Sequence, residues 1–181
     1  MFRLFLFIFL ILIGQNLTIV RASQNVNYKT KIAQYVRNGD LQNVTKMLKK
    51  NRKLVNTKDL FGSSLLHIAT LTGNTKMVEL LLDYDANQVP DKGGAYPSHI
   101  ASRKCLVKVM IMLIGKENTI NIKDKFNTTP FQRAVQASCD SIVEISLFYK
   151  PDCMDLLRMN TKNLEKETTK TLDEYKETNC K

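Results

Sequence analysis

One phrase recurs along this chain at a spacing of 32 or 33 residues. It reads Asp59-Leu60-Phe61-Gly62 followed by Leu65-Leu66-His67-Ile68-Ala69. It returns as Asp91-Lys92-Gly93-Gly94 before Tyr96-Pro97-Ser98-His99-Ile100-Ala101, and again as Asp124-Lys125-Phe126-Asn127 before Thr129-Pro130-Phe131-Gln132-Arg133-Ala134. The Asp positions and the His/Gln positions keep the same register, so the period belongs to the whole unit. Units of this size cannot bury an apolar face alone; they bury it against their neighbours, which dictates a linear stack.

Each unit reads as a turn and two helices. Pro97 and Pro130 fall where a first-turn proline is tolerated, because the missing N–H had no helical partner there. The second helix carries an apolar stripe at helical spacing: Met77, Val78, Leu80, Leu81 and Leu82, then Val109, Met110, Met112, Leu113 and Ile114, then Ile142, Val143, Ile145 and Leu147. Gly62, Gly94 and Asn127 sit where the turn before the first helix needs a left-handed backbone, and Gly39 and Gly73 sit between helices. The prediction is an all-α solenoid of about four units, near 30–58, 59–90, 91–123 and 124–152. The first is degenerate, anchored on Asn38-Gly39-Asp40 with Val44, Met47 and Leu48. Beyond Pro151 the pattern fades, and 153–181 is expected to be a capping helix and a polar tail, with a helix over Asp152 to Asn160 and a second, weaker one after it, or else the relic of a fifth unit around Thr171-Leu172-Asp173.

At these residues the chain resembles the ankyrin-repeat family, whose units run from an Asp/Gly turn through Thr-Pro-Leu-His-x-Ala to a Gly turn and an apolar second helix. The second unit matches most fully, continuing Thr72-Gly73-Asn74-Thr75-Lys76-Met77-Val78-Glu79-Leu80-Leu81-Leu82. The resemblance spans about 30–152 and implies stacked β-turn/helix-turn-helix units acting as a protein-binding module. It also implies that His67 and His99 hydrogen-bond the backbone of adjoining turns. Cys105 and Ser138 replace the interhelix glycine in units three and four, a departure expected to loosen those turns.

The first residues read as a secretory signal peptide over 1–22. Arg3 supplies the charge, Leu4 to Ile13 is an apolar run, and Val20-Arg21-Ala22 offers a cleavage site before Ser23. A short extension, 23–29, would lead into the repeats. The alternative is an uncleaved anchor stretched over Phe2 to Val20, which places Gln15, Asn16 and Thr18 in the lipid. Cleavage removes Arg3 and Arg21 and no acid, so the formal charge falls from +10 to +8 and the mature chain stays basic. A secreted repeat module with no second globular domain fits an exported effector, a venom component or a lumenal adaptor alike.

Cys105, Cys139, Cys153 and Cys180 all survive that cleavage, and an even count in an exported chain permits disulfides. Units of the resembling fold stack about 10 Å apart, beyond the roughly 7 Å Cα reach of a disulfide, which argues against Cys105 with Cys139. Cys153 with either Cys139 or Cys180 is the easier pairing.

No enzyme is expected. With both histidines committed to turns, no imidazole remains to activate a nucleophile. Asp59, Asp91 and Asp124 read as turn residues. Gly93-Gly94 lacks the Lys-Ser/Thr of a phosphate loop. No cysteine pair has the close spacing of a zinc knuckle. No cofactor, metal or small-molecule substrate is expected.

In the resembling family, partners are held by the hairpin tips and the exposed ends of the first helices. Carried over, these positions include Leu60, Phe61, Lys92, Lys125 and Phe126 at tips, and Arg37, Leu71, Arg103, Lys104 and Gln136 at helix ends. The surface is basic with aromatic points, which favours a protein partner with an acidic surface; Phe61 and Phe126 are either its anchors or merely pack on their neighbours. Lys29, Lys31, Arg37, Lys46, Lys49, Lys50, Arg52, Lys53 and Lys58 crowd the first unit against Asp40 alone. That end could also meet an anionic membrane surface or a sulfated glycan. Nucleic acid is not expected, for want of a recognition helix or ribonucleoprotein signature. Two glycosylation sequons remain after cleavage, at Asn43 and Asn127.

Overall fold

The computed structural model describes residues 29–180; the leader and all but the last residue of the extension lie outside the described residues. Residues 29–37 form α1. There follow α2 (Leu41–Lys50), a 3-10 turn (Arg52–Asn56), α3 (Leu65–Thr72), α4 (Thr75–Asp83), α5 (Pro97–Arg103), α6 (Val107–Lys116), α7 (Pro130–Gln136), α8 (Asp140–Leu147), α9 (Cys153–Leu157) and α10 (Lys166–Asn179).

Helix starts follow from local chemistry. The Ser64 side chain accepts from the His67 N–H while the His67 ring accepts from the Ser64 N–H, closing a capping box on α3. Thr129 and Gln132 repeat it on α7. Asp40 and Asn74 cap α2 and α4. The Asp40 carboxyl lies below its ordinary range because the Asn43 side-chain amide and then its backbone N–H bond to the ionised form.

The first helices α3, α5 and α7 stack in one row, and α2, α4, α6 and α8 stack in a second. Between the rows runs the core, where Leu65, Leu66, Met77, Leu81, Met110, Leu113, Ile142 and Phe131 are buried. Each such side chain contributes roughly 1.5–3 kcal/mol. The stripe expected on the second helices is there. Leu80, Met112, Ile145 and Leu147 pack at its margin, partly buried.

The turns between helices correct two expectations. Cys105 and Ser138 do not loosen them: both take the left-handed backbone, φ 53° and 52°, beside 71° for Gly73. Ser102 and Ala101 accept from the N–H groups of Cys105 and Leu106 just as Thr70 and Ala69 accept from those of Gly73 and Asn74. The second correction is that Cys105 is bonded to Cys139, at a Cα separation of 5.5 Å. Helix spacing was the wrong ruler. A left-handed turn residue aims its Cβ at the next unit, one position past its own counterpart. A Cβ on Gly39 would lie 2.8 Å from Asn74 Nδ2, and one on Gly73 would lie 3.6 Å from Leu106 Cδ2. The same vector from Cys105 leads to Cys139.

The C-terminal segment is more ordered than a polar tail. α10 packs along α8 and closes the end of the second row. Its own Thr168 and Leu172 are buried, as are Leu156 and Leu164 before it. Asp140 accepts from the Glu165 N–H and Glu144 from the Thr168 hydroxyl. Cys153 pairs with Cys180, Cα to Cα 5.4 Å, fastening the far end of α10 to α9. This is one of the two pairings left open for Cys153, and Cys139 is not its partner.

Candidate protein-binding face

Three fingers precede α3, α5 and α7, each built on an aspartate. The Asp59 Oδ1 accepts from the N–H groups of Phe61 and Ser63 at 2.9 and 2.8 Å. Asp91 does the same for Gly93 and Ala95, and Asp124 for Phe126 and Thr128. Neighbouring fingers are laced through the backbone: Lys92 N–H donates to the Phe61 carbonyl and Lys125 N–H to the Gly93 carbonyl. With these backbone groups satisfied internally, the tip side chains point outward. Leu60, Phe61 and Phe126 are 86%, 75% and 79% exposed, so neither phenylalanine packs onto a neighbouring tip. Lys92 and Lys125 are exposed beside them.

The histidines hold the fingers in place. His67 Nδ1 accepts from Ser64 N–H, so its Nε2 carries the proton and donates to the Ala95 carbonyl of the next finger, 2.9 Å away. His99 repeats this with Tyr96 N–H and the Thr128 carbonyl at 3.0 Å. Burial, the largest influence, pushes both imidazoles below the ordinary histidine range and keeps them neutral. Unit four has Gln132 at this position. Its side-chain oxygen completes the capping box, and among the described residues no fifth finger follows for an imidazole to reach.

At the helix ends, Arg37, Leu71, Arg103, Lys104 and Gln136 are exposed. Two of them also have internal duties. Lys104 Nζ donates to the Leu71 carbonyl at 2.9 Å, and Gln136 accepts from Arg133. Arg133 also pairs with the buried Asp124 at 2.7 Å. Burial raises the Asp124 carboxyl, but the Arg133 guanidinium and the Thr128 and Phe126 N–H groups outweigh it, leaving the group below its ordinary range.

The face is not uniform along the stack. Between α1 and the first finger lies a groove of about 540 Å³ whose floor and wall are Ala33, Leu65, Ile68, Leu60 and Phe61, with Lys29, Arg37 and Lys58 at its rim. Sequence reading marked the lysines as a charged end but missed the groove. A cavity between a helix and the following finger depends on unit orientation, which residue spacing does not encode. Of the two sequons, Asn127 stands exposed at a fingertip with φ 56°. Asn43 is half-buried in α2 and its amide donates to Asp40 at 2.6 Å. Among the described residues no group of three or more His, Cys, Asp or Glu side chains could hold a metal, and no helix is long and apolar enough to cross a membrane.

Residues 32–126 match the family model described as "Ankyrin repeats (3 copies)". The chain belongs to the ankyrin-repeat family. A curated relative in Saccharomyces cerevisiae, described as "Probable 26S proteasome regulatory subunit p28", is 31% identical over 99 residues, covering 52% of this chain and 43% of its own length. The chain thus spans less than half of the curated relative that it matches. Ankyrin repeats are typically a non-catalytic scaffold for protein–protein interaction.

Proposed function

We propose that the mature protein is exported and acts as a non-catalytic binding module, an effector that grips another protein with its finger tips and first-helix ends. The observation that carries the reading is the outward row of Leu60, Phe61, Lys92, Lys125 and Phe126 on fingers whose backbone is already satisfied. Aromatic side chains that become buried in a complex dominate interface energy, and Phe61 and Phe126 stand exposed for that role. Export is supported by the signal-like leader and by two disulfides, Cys105–Cys139 and Cys153–Cys180, which persist in oxidising compartments.

Affinity capture with the mature chain, repeated after Phe61, Arg103 and Lys104 are changed to Ala, tests the face. Reduced recovery of the same partner supports it, and equal recovery discards it. N-terminal sequencing of protein collected from the medium of secreting cells tests export, with Ser23 as the expected first residue. A membrane-tethered or surface-associated adaptor is the second reading, favoured by the apolar reach of Phe2 to Val20 and the exposed cations of the first unit. A cell-bound product that retains the leader would select it.

A further inference from the structure

The two ends of the face differ in chemistry, and the first end holds more than a groove. Beside the apolar groove lies a depression of about 460 Å³ lined by Lys29, Lys53 and Lys58 with Asn51 and Asn56. The two lie side by side and together form a trough, sharing Lys29, Thr57 and Lys58 in their linings. Lys29 and Lys53 make no ion pair among the described residues, and Lys58 Nζ donates to the Pro90 carbonyl without losing its charge. Asp59 is the one acid among the lining residues, and its Oδ1 is already taken by two backbone N–H groups.

From this juxtaposition we infer that the trough formed by α1, the 3-10 turn and the first finger docks an extended acidic segment of the partner protein. The segment's apolar side chains lie on Leu60, Phe61 and Ile68, and its carboxylates lie among Lys29, Lys53 and Lys58. The inference rests on the protein-binding reading above and places the energetic centre of that face at units one and two. Charge complementarity selects an acidic occupant. The apolar half selects a polypeptide over a sulfated glycan, which makes no use of Leu60 and Phe61 at 86% and 75% exposure. Covering these two side chains removes apolar surface from water, and the lysines steer the approach.

The test is selection of a phage-displayed library of random linear peptides on the mature chain with its disulfides intact. The expected winners combine Asp or Glu with Leu, Ile, Phe or Trp. Their affinity falls on the order of 30-fold in Phe61→Ala, the loss typical of an interface anchor. It falls about threefold in Lys58→Gln, and the loss narrows as salt rises. Phe148→Ala, which removes an equally exposed aromatic from outside the binding face, leaves it unchanged. Phe61 is exposed, so its removal does not put folding at stake. The inference is overturned if no peptide is enriched, if the winners carry no acid, or if they bind Phe61→Ala as well as the parent. It is also overturned if a heparin oligosaccharide binds, loses affinity in Lys29→Gln and Lys53→Gln, and is indifferent to Phe61→Ala. Peptides lost on Phe126→Ala instead leave the binding face standing and defeat only this assignment. Unchanged binding in all of these variants, together with equal partner capture, defeats both.

Discussion

Removing the Cys105–Cys139 link measures what covalent stapling of successive units adds to a repeat stack. The bridge joins positions 34 residues apart. Chain-entropy arithmetic for a loop of that length gives about 4 kcal/mol at room temperature. Cys139 is buried, so Ala is the replacement that leaves no unpaired polar atom. Cys105 sits at φ 53°, where a side chain costs roughly 1–2 kcal/mol that glycine avoids. Cys105→Ser/Cys139→Ala should therefore lose about 4 kcal/mol, and Cys105→Gly/Cys139→Ala about 3. Urea denaturation followed by circular dichroism checks both, since the other disulfide is untouched and the two variants differ at a single turn residue. A Gly variant no more stable than the Ser variant would refute the turn argument. If neither differs from the parent, the bridge contributes nothing and the loop-entropy reasoning fails.

Acidification should weaken the stack between about pH 6.5 and the lower values at which the buried imidazoles titrate. The unfolded chain takes up protons first, so stability present above that range is lost as pH falls through it. Thermal melts of the parent against His67→Gln/His99→Gln, which copies Gln132, should show the variant flatter with pH. Phe131→Ala should cost about 3–5 kcal/mol in denaturant, because the side chain is wholly buried. Leu172→Ala should release α10 while Cys153–Cys180 keeps it tethered, read as faster hydrogen exchange across Lys166–Asn179 with little change in α3 to α6. Gly94→Ala should cost about 2 kcal/mol by the same denaturant assay, since its Cβ would meet Lys125 N at 2.9 Å from a left-handed backbone.

The architecture was legible because periodicity is a property of residue order. Asp59, Asp91 and Asp124 announce the fingers, and the apolar stripes announce the second row of helices. The histidine roles were what the family resemblance implied for two residues in the same register, and the Ala95 and Thr128 carbonyls satisfy them. What stayed hidden depended on direction in space. The Cys105 vector is set by a left-handed φ that cysteine rarely adopts, so unit spacing misjudged it. A second helix near the C-terminus was expected, but its packing on α8 was obscured by composition: among the residues of α10 only Leu172 and Thr168 are buried. The trough at the first finger joins residues from three separate elements, and none of them carries a motif.

Both covalent fasteners lie between residues 105 and 180, and neither reaches α1 to α4. A stack held this way frays from one side. Under heat or a protease, the first two units should open and be trimmed first, leaving a resistant remnant cross-linked through units three, four and the cap. The end proposed to recognise a target is thus also the end free to breathe, and that freedom would let it adapt its grip while the stapled half stays intact.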